Sequence, residues 1–390
     1  MSSPVASHDK SQVAARLRIE AATYLFLCAS LLGPYGCGGG NSNGTSPPPL
    51  PPTYTTIDAP GGTATSQGTT PNDINAGGDI VGFFMDPNNR AHGFMRSFPG
   101  ALTVLDAGML YNQGSNAQAI NIAGTVVGFF VVQQSIYQQS FTHGYIRTLN
   151  GNLTTLDVPG TSQTIARSIN DGGAIAGEDL DSNQAAHGWL RASDGTLTTF
   201  DVPGSTALSF GGTLFSGISV SRINAGGIVV GFFTDANGVY HGFLRAPDGT
   251  LTMLDAPSAG TVANTGTKAA DINASGVIVG SVSTAGTSHS FLRSPDGTYT
   301  IFDPPGTAAG GSSSTGVNDS GLIVGNYADA NHVMHGYLRN LDSSFTSIAD
   351  PNAPQSANSY GTFTTHINAR GAIVGVFFDA LGTQHGFVRE

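Results

Sequence analysis

Charge is scarce in this 390-residue chain: 11% of its residues are Asp, Glu, Lys or Arg, and lysine occurs only twice, as Lys10 and Lys268. Its surface must therefore be solubilised by hydroxyl and amide groups. The net charge is −11 and no basic run lies beyond the N-terminal tail, so a surface that tracks phosphates is absent and nucleic acid is excluded as a partner. Two cysteines, Cys28 and Cys37, cannot build a disulfide framework. There is no GxSxG elbow and no HExxH helix, and GxG-like strings lack the helix that a dinucleotide site requires.

The first 53 residues differ in kind from the rest. Lys10, Arg16 and Arg18 precede an apolar stretch from Ala21 to Gly33, which is too short for a membrane span. A cationic start, a short apolar core and small residues after it describe an export signal over residues 1–36. Residues 37–53 are rich in Gly, Ser and Pro and read as a flexible tether. Cys37 followed by such a tether resembles the lipidated first residue of a bacterial lipoprotein, although Pro34 stands where Leu is usual. The expectation is an exported monomer, in the cell envelope or extracellular, that touches membrane only through a lipid on Cys37.

From Tyr54 to Glu390 everything is repeat. The word INAGGDIVG recurs with its asparagine at 75, 121, 170, 224, 273, 318 and 368, a mean period of about 49. A second word, HGFLR at His241, returns at His92, His143, His187, His289, His335 and His385. A third, of the form TMLDAP, follows it. Each period holds four short β-type runs separated by turn signals such as AGG, TDANG and PDG. Four antiparallel strands per period is the arithmetic of a propeller blade. The seventh unit stops without a fourth strand, and an orphan fourth-strand word, YTTIDAPG, lies ahead of the first. The expected fold is an all-β, seven-bladed propeller over 54–390, its ring closed by residues 54–58 completing the last blade.

Histidine invites a chemical reading, yet its spacing favours a structural one. The hairpin register sets His92 against Asp106, His143 against Asp157, His187 against Asp201, His241 against Asp255 and His289 against Asp303, always 14 residues on. His335 would meet Asp350 at 15, and His385 would meet Asp58 across the closure. A half-buried imidazole needs a hydrogen-bond partner, which a carboxylate at constant offset supplies. Third strands of neighbouring blades also hold their histidines roughly 15 Å apart, far too wide for one zinc ion. No catalytic residue, no metal and no cofactor is therefore expected. DLDSNQ, around Asp179, reads as a turn rather than a calcium loop.

These words resemble the HAF family of extracellular repeat proteins, named for a His-Ala-Phe word preceded by a Gly-x-Val-Gly segment. The resemblance spans Tyr54 to Glu390 and departs in carrying Gly in six copies, and Ser in one, where the name has Ala. It implies an exported repeat protein and no established activity. Function is then expected where the repeat breaks. The position before each Ile-Asn reads Asp73, Ala119, Ser168, Arg222, Asp271, Gly316 and His366, four of them ionisable. The connecting loops carry Tyr111, Tyr137, Phe210, Phe215, Tyr360 and Phe363 among Ser, Asn and Gly, a mixture suited to holding a glycan or peptide. The expectation is a non-catalytic, envelope-anchored binding module for an extracellular glycan or protein. The alternatives are a carbohydrate- or peptidoglycan-active enzyme using Asp73, Asp271 and His366, and a purely structural envelope protein.

Overall fold

In the fourth repeat the runs Ile218–Ile223, Val229–Thr234, Tyr240–Arg245 and Leu251–Leu254 pair antiparallel in that order. The turns between them end on Gly227, Gly238 and Gly249, all in the left-handed region with φ of 80°, 79° and 92°. Each glycine N–H donates back three residues, to the carbonyls of Asn224, Asp235 and Ala246. The last hairpin sets Arg245 opposite Leu251 and Phe243 opposite Met253, the register that the Pro-Asp-Gly turn demands. The computed structural model describes residues 51–390 apart from 62–67, 108–111, 135–138, 182–184, 207, 211–212, 216, 309–310 and 355–359. Among the described residues every regular element is a strand. The fourth-repeat pattern returns in all the others, with one addition, the small hairpin of Leu208–Phe210 with Thr213–Phe215. Residues Pro52–Glu390 form one compact unit.

The seventh repeat contributes Thr362–Ile367, Ile373–Phe378 and Gln384–Arg389, and its fourth strand is Tyr54–Ile57 from the other end of the chain. Tyr54 lies opposite Arg389, and Thr53 and Glu390 exchange backbone hydrogen bonds of 2.9 and 3.0 Å. The first strands of successive repeats touch one another in order, and Thr362–Ile367 returns to Thr69–Ile74.

The core is a set of layers between neighbouring repeats. Each HGFLR-type word buries its aromatic completely, as Phe94, Tyr145, Trp189, Phe243, Phe291, Tyr337 and Phe387. The glycine of the IVVG word makes room for that ring. A Cβ on Gly231 would lie 2.1 Å from the Ser219 carbonyl oxygen and 2.8 Å from the Phe243 ring, so no larger residue fits. One layer mixes Ile57 and Val388 with Ile74, Ile80 and Phe94, packing the seventh repeat on the first.

The recurrent asparagine has a second task besides its turn. Asn224 Oδ1 accepts from the Ile228 N–H at 2.9 Å, closing its own turn, while its Nδ2 donates 3.0 Å to the Asn273 carbonyl of the next repeat. The same reach links Asn75 to Asn121, Asn121 to Asn170, Asn170 to Asn224, Asn273 to Asn318, Asn318 to Asn368, and Asn368 back to Asn75. All seven asparagines are buried. Asn224→Ala strands the Ile228 N–H and leaves the Asn273 carbonyl with the Gly276 N–H alone, and a buried unsatisfied group costs roughly 1–3 kcal/mol. A loss of about 2 kcal/mol in chemical denaturation is expected, and an unchanged midpoint would mean that the clasp contributes nothing.

Candidate functional site

The repeated histidines are held as parts of the scaffold. His241 Nδ1 lies 2.9 Å from Asp255, its Nε2 lies 3.7 Å from Asp235 of the preceding turn, and its ring stacks on Phe233 at 5.2 Å. Contacts of the Asp255 type join His92 to Asp106 (2.9 Å), His143 to Asp157 (3.0 Å), His289 to Asp303 (2.7 Å), His385 to Asp58 (2.8 Å) and His187 to Asp201. The second carboxylate, six residues before the histidine, and the ring beneath it were not read from the sequence.

His335 differs from its expected partnership. It contacts Asp329 at 3.2 Å through Nε2, and its buried Nδ1 has no partner. The strand register in this repeat is the usual one, Gly336 opposite Ile348, so the position facing the histidine is Ala349. Asp350 lies one residue further, on the side where other repeats bury Ala107, Val158, Val202 and Ala256. There it turns to accept from the Asn352 N–H at 2.9 Å.

The residues that break the repeat do converge. Every first strand shares one slip of the ladder, between Val220 and Arg222 in the fourth repeat and at the equivalent step in the other six. A bulge of this kind re-aims side chains. The skipped residues Asn72, Gln118, Arg167, Ser221, Ala270, Thr315 and Thr365 all line one cavity of about 450 Å³, framed by the first strands of all seven repeats. This ring was not read from the sequence. Six of the seven are polar, but so are half of the positions beside them, and the pattern does not stand out along the chain.

Behind that ring sits one charge network. Arg222 Nη2 donates to Asp73 Oδ1 at 3.0 Å, and its Nε lies 3.3 Å from Asp271 Oδ1. His366 places Nδ1 2.9 Å from Asp73 and Nε2 3.5 Å from Asp271, and also touches Arg222. His366 with Asp73 and Arg222 with Asp271 are neighbours round the ring, and Arg222 also reaches across to the first repeat, because Ala119, Ser168 and Gly316 leave the axis open. The Asp73 and Asp271 side chains are only 3% exposed. They also accept the backbone N–H groups of Ile120 (3.0 Å) and Val317 (2.8 Å) in the next repeat.

Burial alone would raise the Asp73 pKa, but Arg222 and His366 outweigh it and hold the carboxyl well below its usual range. Burial and Arg222 push the His366 pKa down, and Asp73 and Asp271 more than reverse this, so the imidazolium is favoured. Arg222, Asp271 and His366 also line a second cavity of about 170 Å³, on the side of the asparagine ring. The network thus forms the wall between two cavities.

Three further groups shape the larger cavity. Arg167 Nε donates 2.9 Å to the buried Glu178, whose other oxygen accepts the Val220 N–H at 2.7 Å. The Lys268 ammonium lies 3.6 Å from the Tyr240 ring centre and 5.1 Å from that of Phe232. Thr315 and Thr365 belong both to this cavity and to an apolar shelf formed by Tyr360, Phe363 and Phe378. Tyr360 is 65% exposed and meets Phe378 at 4.9 Å. Cys37, Tyr111 and Tyr137 lie outside the described residues, as do residues 1–50, and the side chains of Phe210 and Phe215 are not described.

No family model matches the sequence, and no curated protein matches it. Solved structures do. The β-propeller domain of the Trilobed protease from Pyrococcus furiosus is 9% identical, with TM-score 0.52 over 83% of this chain and 93% of that one. The fold is all-β and propeller-like. A prolyl endopeptidase is 11% identical with TM-score 0.55, over 81% of this chain and 47% of its own length. Pyrococcus horikoshii acylaminoacyl peptidase is 9% identical with TM-score 0.51, over 86% and 53%. The chain therefore spans about half the length of these two peptidases. The expectation of a non-catalytic module reading ligands with its loops is corrected here: the similar structures are mostly propellers of peptidases, and the polar groups converge on the axis. At such low identity the likeness itself carries the fold alone.

Proposed function

We propose that the chain is a seven-bladed β-propeller that works at its axis as a carbohydrate- or peptidoglycan-active enzyme. The cyclic run of asparagine contacts, the cyclic contacts of the first strands and the strand shared between the two chain ends support seven blades and closure. One observation carries the catalytic reading: the His366 imidazole is bracketed by the carboxylates of Asp73 and Asp271 in the wall of a polar cavity. Carboxylates on the two nitrogens of one ring lie at most about 9 Å apart, inside the range used by glycosidases. Asp73 is biased towards its ionised form and His366 towards its protonated form, so the ring is held with a proton to give. In this reading Asp73 orients the ring, His366 gives its proton to the departing glycosidic oxygen, and Asp271 takes one from the attacking water. The repeat words and the leading residues support an exported member of the HAF repeat proteins, with residues 1–36 as signal, 37–53 as tether and Cys37 lipidated.

Release of reducing ends from peptidoglycan sacculi and soluble glucans tests the proposal. His366→Gln and Asp271→Asn should each lower turnover at least a hundredfold while an unchanged circular dichroism spectrum reports an intact fold. A folded wild-type protein that cuts none of these polymers sinks the enzyme reading.

A further inference from the structure

Lysine is so rare here that its one place among the repeats is informative. Lys268 stands on the wall of the axial cavity, in Gly266–Ile272 of the fifth repeat. Every other charge around that cavity is compensated. Arg222, Asp271 and His366 belong to the network with Asp73, and Arg167 is paired with Glu178. Lys268 makes no ion pair among the described residues. It is half-buried over Tyr240 and Phe232, and burial lowers its pKa. A chain of net charge −11 thus keeps an excess positive charge in its axial cavity.

We propose that Lys268 docks the carboxylate of an acidic sugar in the axial cavity, so that the ligand is a carboxylate-bearing oligosaccharide. This rests on the axial site proposed above. Three features favour a sugar acid. The aromatic faces of Tyr240 and Phe232 hold the ammonium by cation–π attraction without neutralising it, leaving a charged donor for an anion. The surrounding groups are neutral hydrogen-bonders, Asn72, Gln118, Ser219, Ser221 and Ser281, which suit sugar hydroxyls. The cavity, at about 450 Å³, lies within the size range of small-ligand sites, and through Thr315 and Thr365 it adjoins the Tyr360–Phe378 shelf, where a neighbouring ring could stack. A single lysine also suits one carboxylate better than a phosphate, which commonly draws a fork of arginines.

Calorimetric titration of the full chain with a tetragalacturonide and with a neutral galacto-oligosaccharide of equal length tests this docking. The acidic sugar should bind at least tenfold tighter, and 0.5 M NaCl should shrink that preference. Lys268→Gln should abolish it, and Lys268→Arg should retain it. Equal binding of the two sugars, no binding of either, or a preference that survives Lys268→Gln would each overturn the proposal. His366→Gln keeps the two proposals separable. Acid preference in this variant with no polymer cut by the wild type means that docking stands and catalysis falls. Cutting without acid preference means the reverse.

Discussion

Arg222→Met is expected to destabilise the protein by about 3–5 kcal/mol at pH 7, the penalty typical of removing one member of a buried charge network. Among the described residues Arg222 is the only group that contacts both Asp73 and Asp271 with a permanent charge, and both carboxylate side chains are 3% exposed. Without it, two buried carboxylates share one imidazole. The penalty must depend on pH, with a sign that can be worked out. The wild-type Asp73 pKa is depressed, so its stabilising share is present above the unfolded value near 4 and is lost as pH falls through the folded value. In Arg222→Met the same carboxyl gains a proton readily, so acid relieves the variant while it costs the wild type. Guanidinium unfolding at pH 7 and pH 4 should therefore show a large gap between the two proteins that narrows on acidification. A constant gap, or none at pH 7, would mean that the network is not a buried electrostatic unit.

Asp179→Phe is expected to do the opposite and stabilise the protein by about 3 kcal/mol at pH 7.5. Asp179 lies across the ladder from His187, where Phe84, Phe130, Phe233, Tyr327 and Phe377 stack on the histidines of their own repeats. It is 2% exposed, and neither of its oxygens has a hydrogen-bond partner. Burial raises its pKa to about 6, against the pull of His187. A carboxyl with a raised folded pKa is tolerated while protonated and becomes a liability as pH climbs from the unfolded value near 4 to the folded value of about 6. Holding the ionised form in such a site costs about 3 kcal/mol. The advantage of the phenylalanine variant over wild type should therefore grow across that window and then level off. Unfolding at pH 4, 5.5 and 7.5 checks this, and a variant less stable than wild type at pH 7.5 would refute it.

What could be read in the sequence was what lies within one hairpin. The register of His241 with Asp255 follows from a three-residue turn and the two-residue period of a strand, both local. The position before Ile-Asn was likewise visible as a place where symmetry fails. Less visible was anything set by the approach of one repeat to another. That Arg222 reaches Asp73, 149 residues away, depends on how far apart the first strands stand and on the small residues between. The bulge leaves no special residue behind, since Asn72, Gln118 and Ser221 are ordinary strand neighbours. Asp350 misled because counting to the nearest carboxylate ignores which side of the strand it occupies. Asp179 looked like part of a turn because its partner ring is missing only by comparison with the other repeats.

The strand Tyr54–Ile57 has a consequence in time as well as in space. Six repeats can complete their four strands from one continuous stretch of chain. The seventh cannot, since His385 and Asp58 are separated by 327 positions. Contacts so distant along the chain carry a closure entropy that nearby hairpins do not, and they slow folding. Tyr54–Ile57 therefore stays unpaired until the last residues arrive, and its pairing carries the largest closure entropy of any strand pair among the described residues.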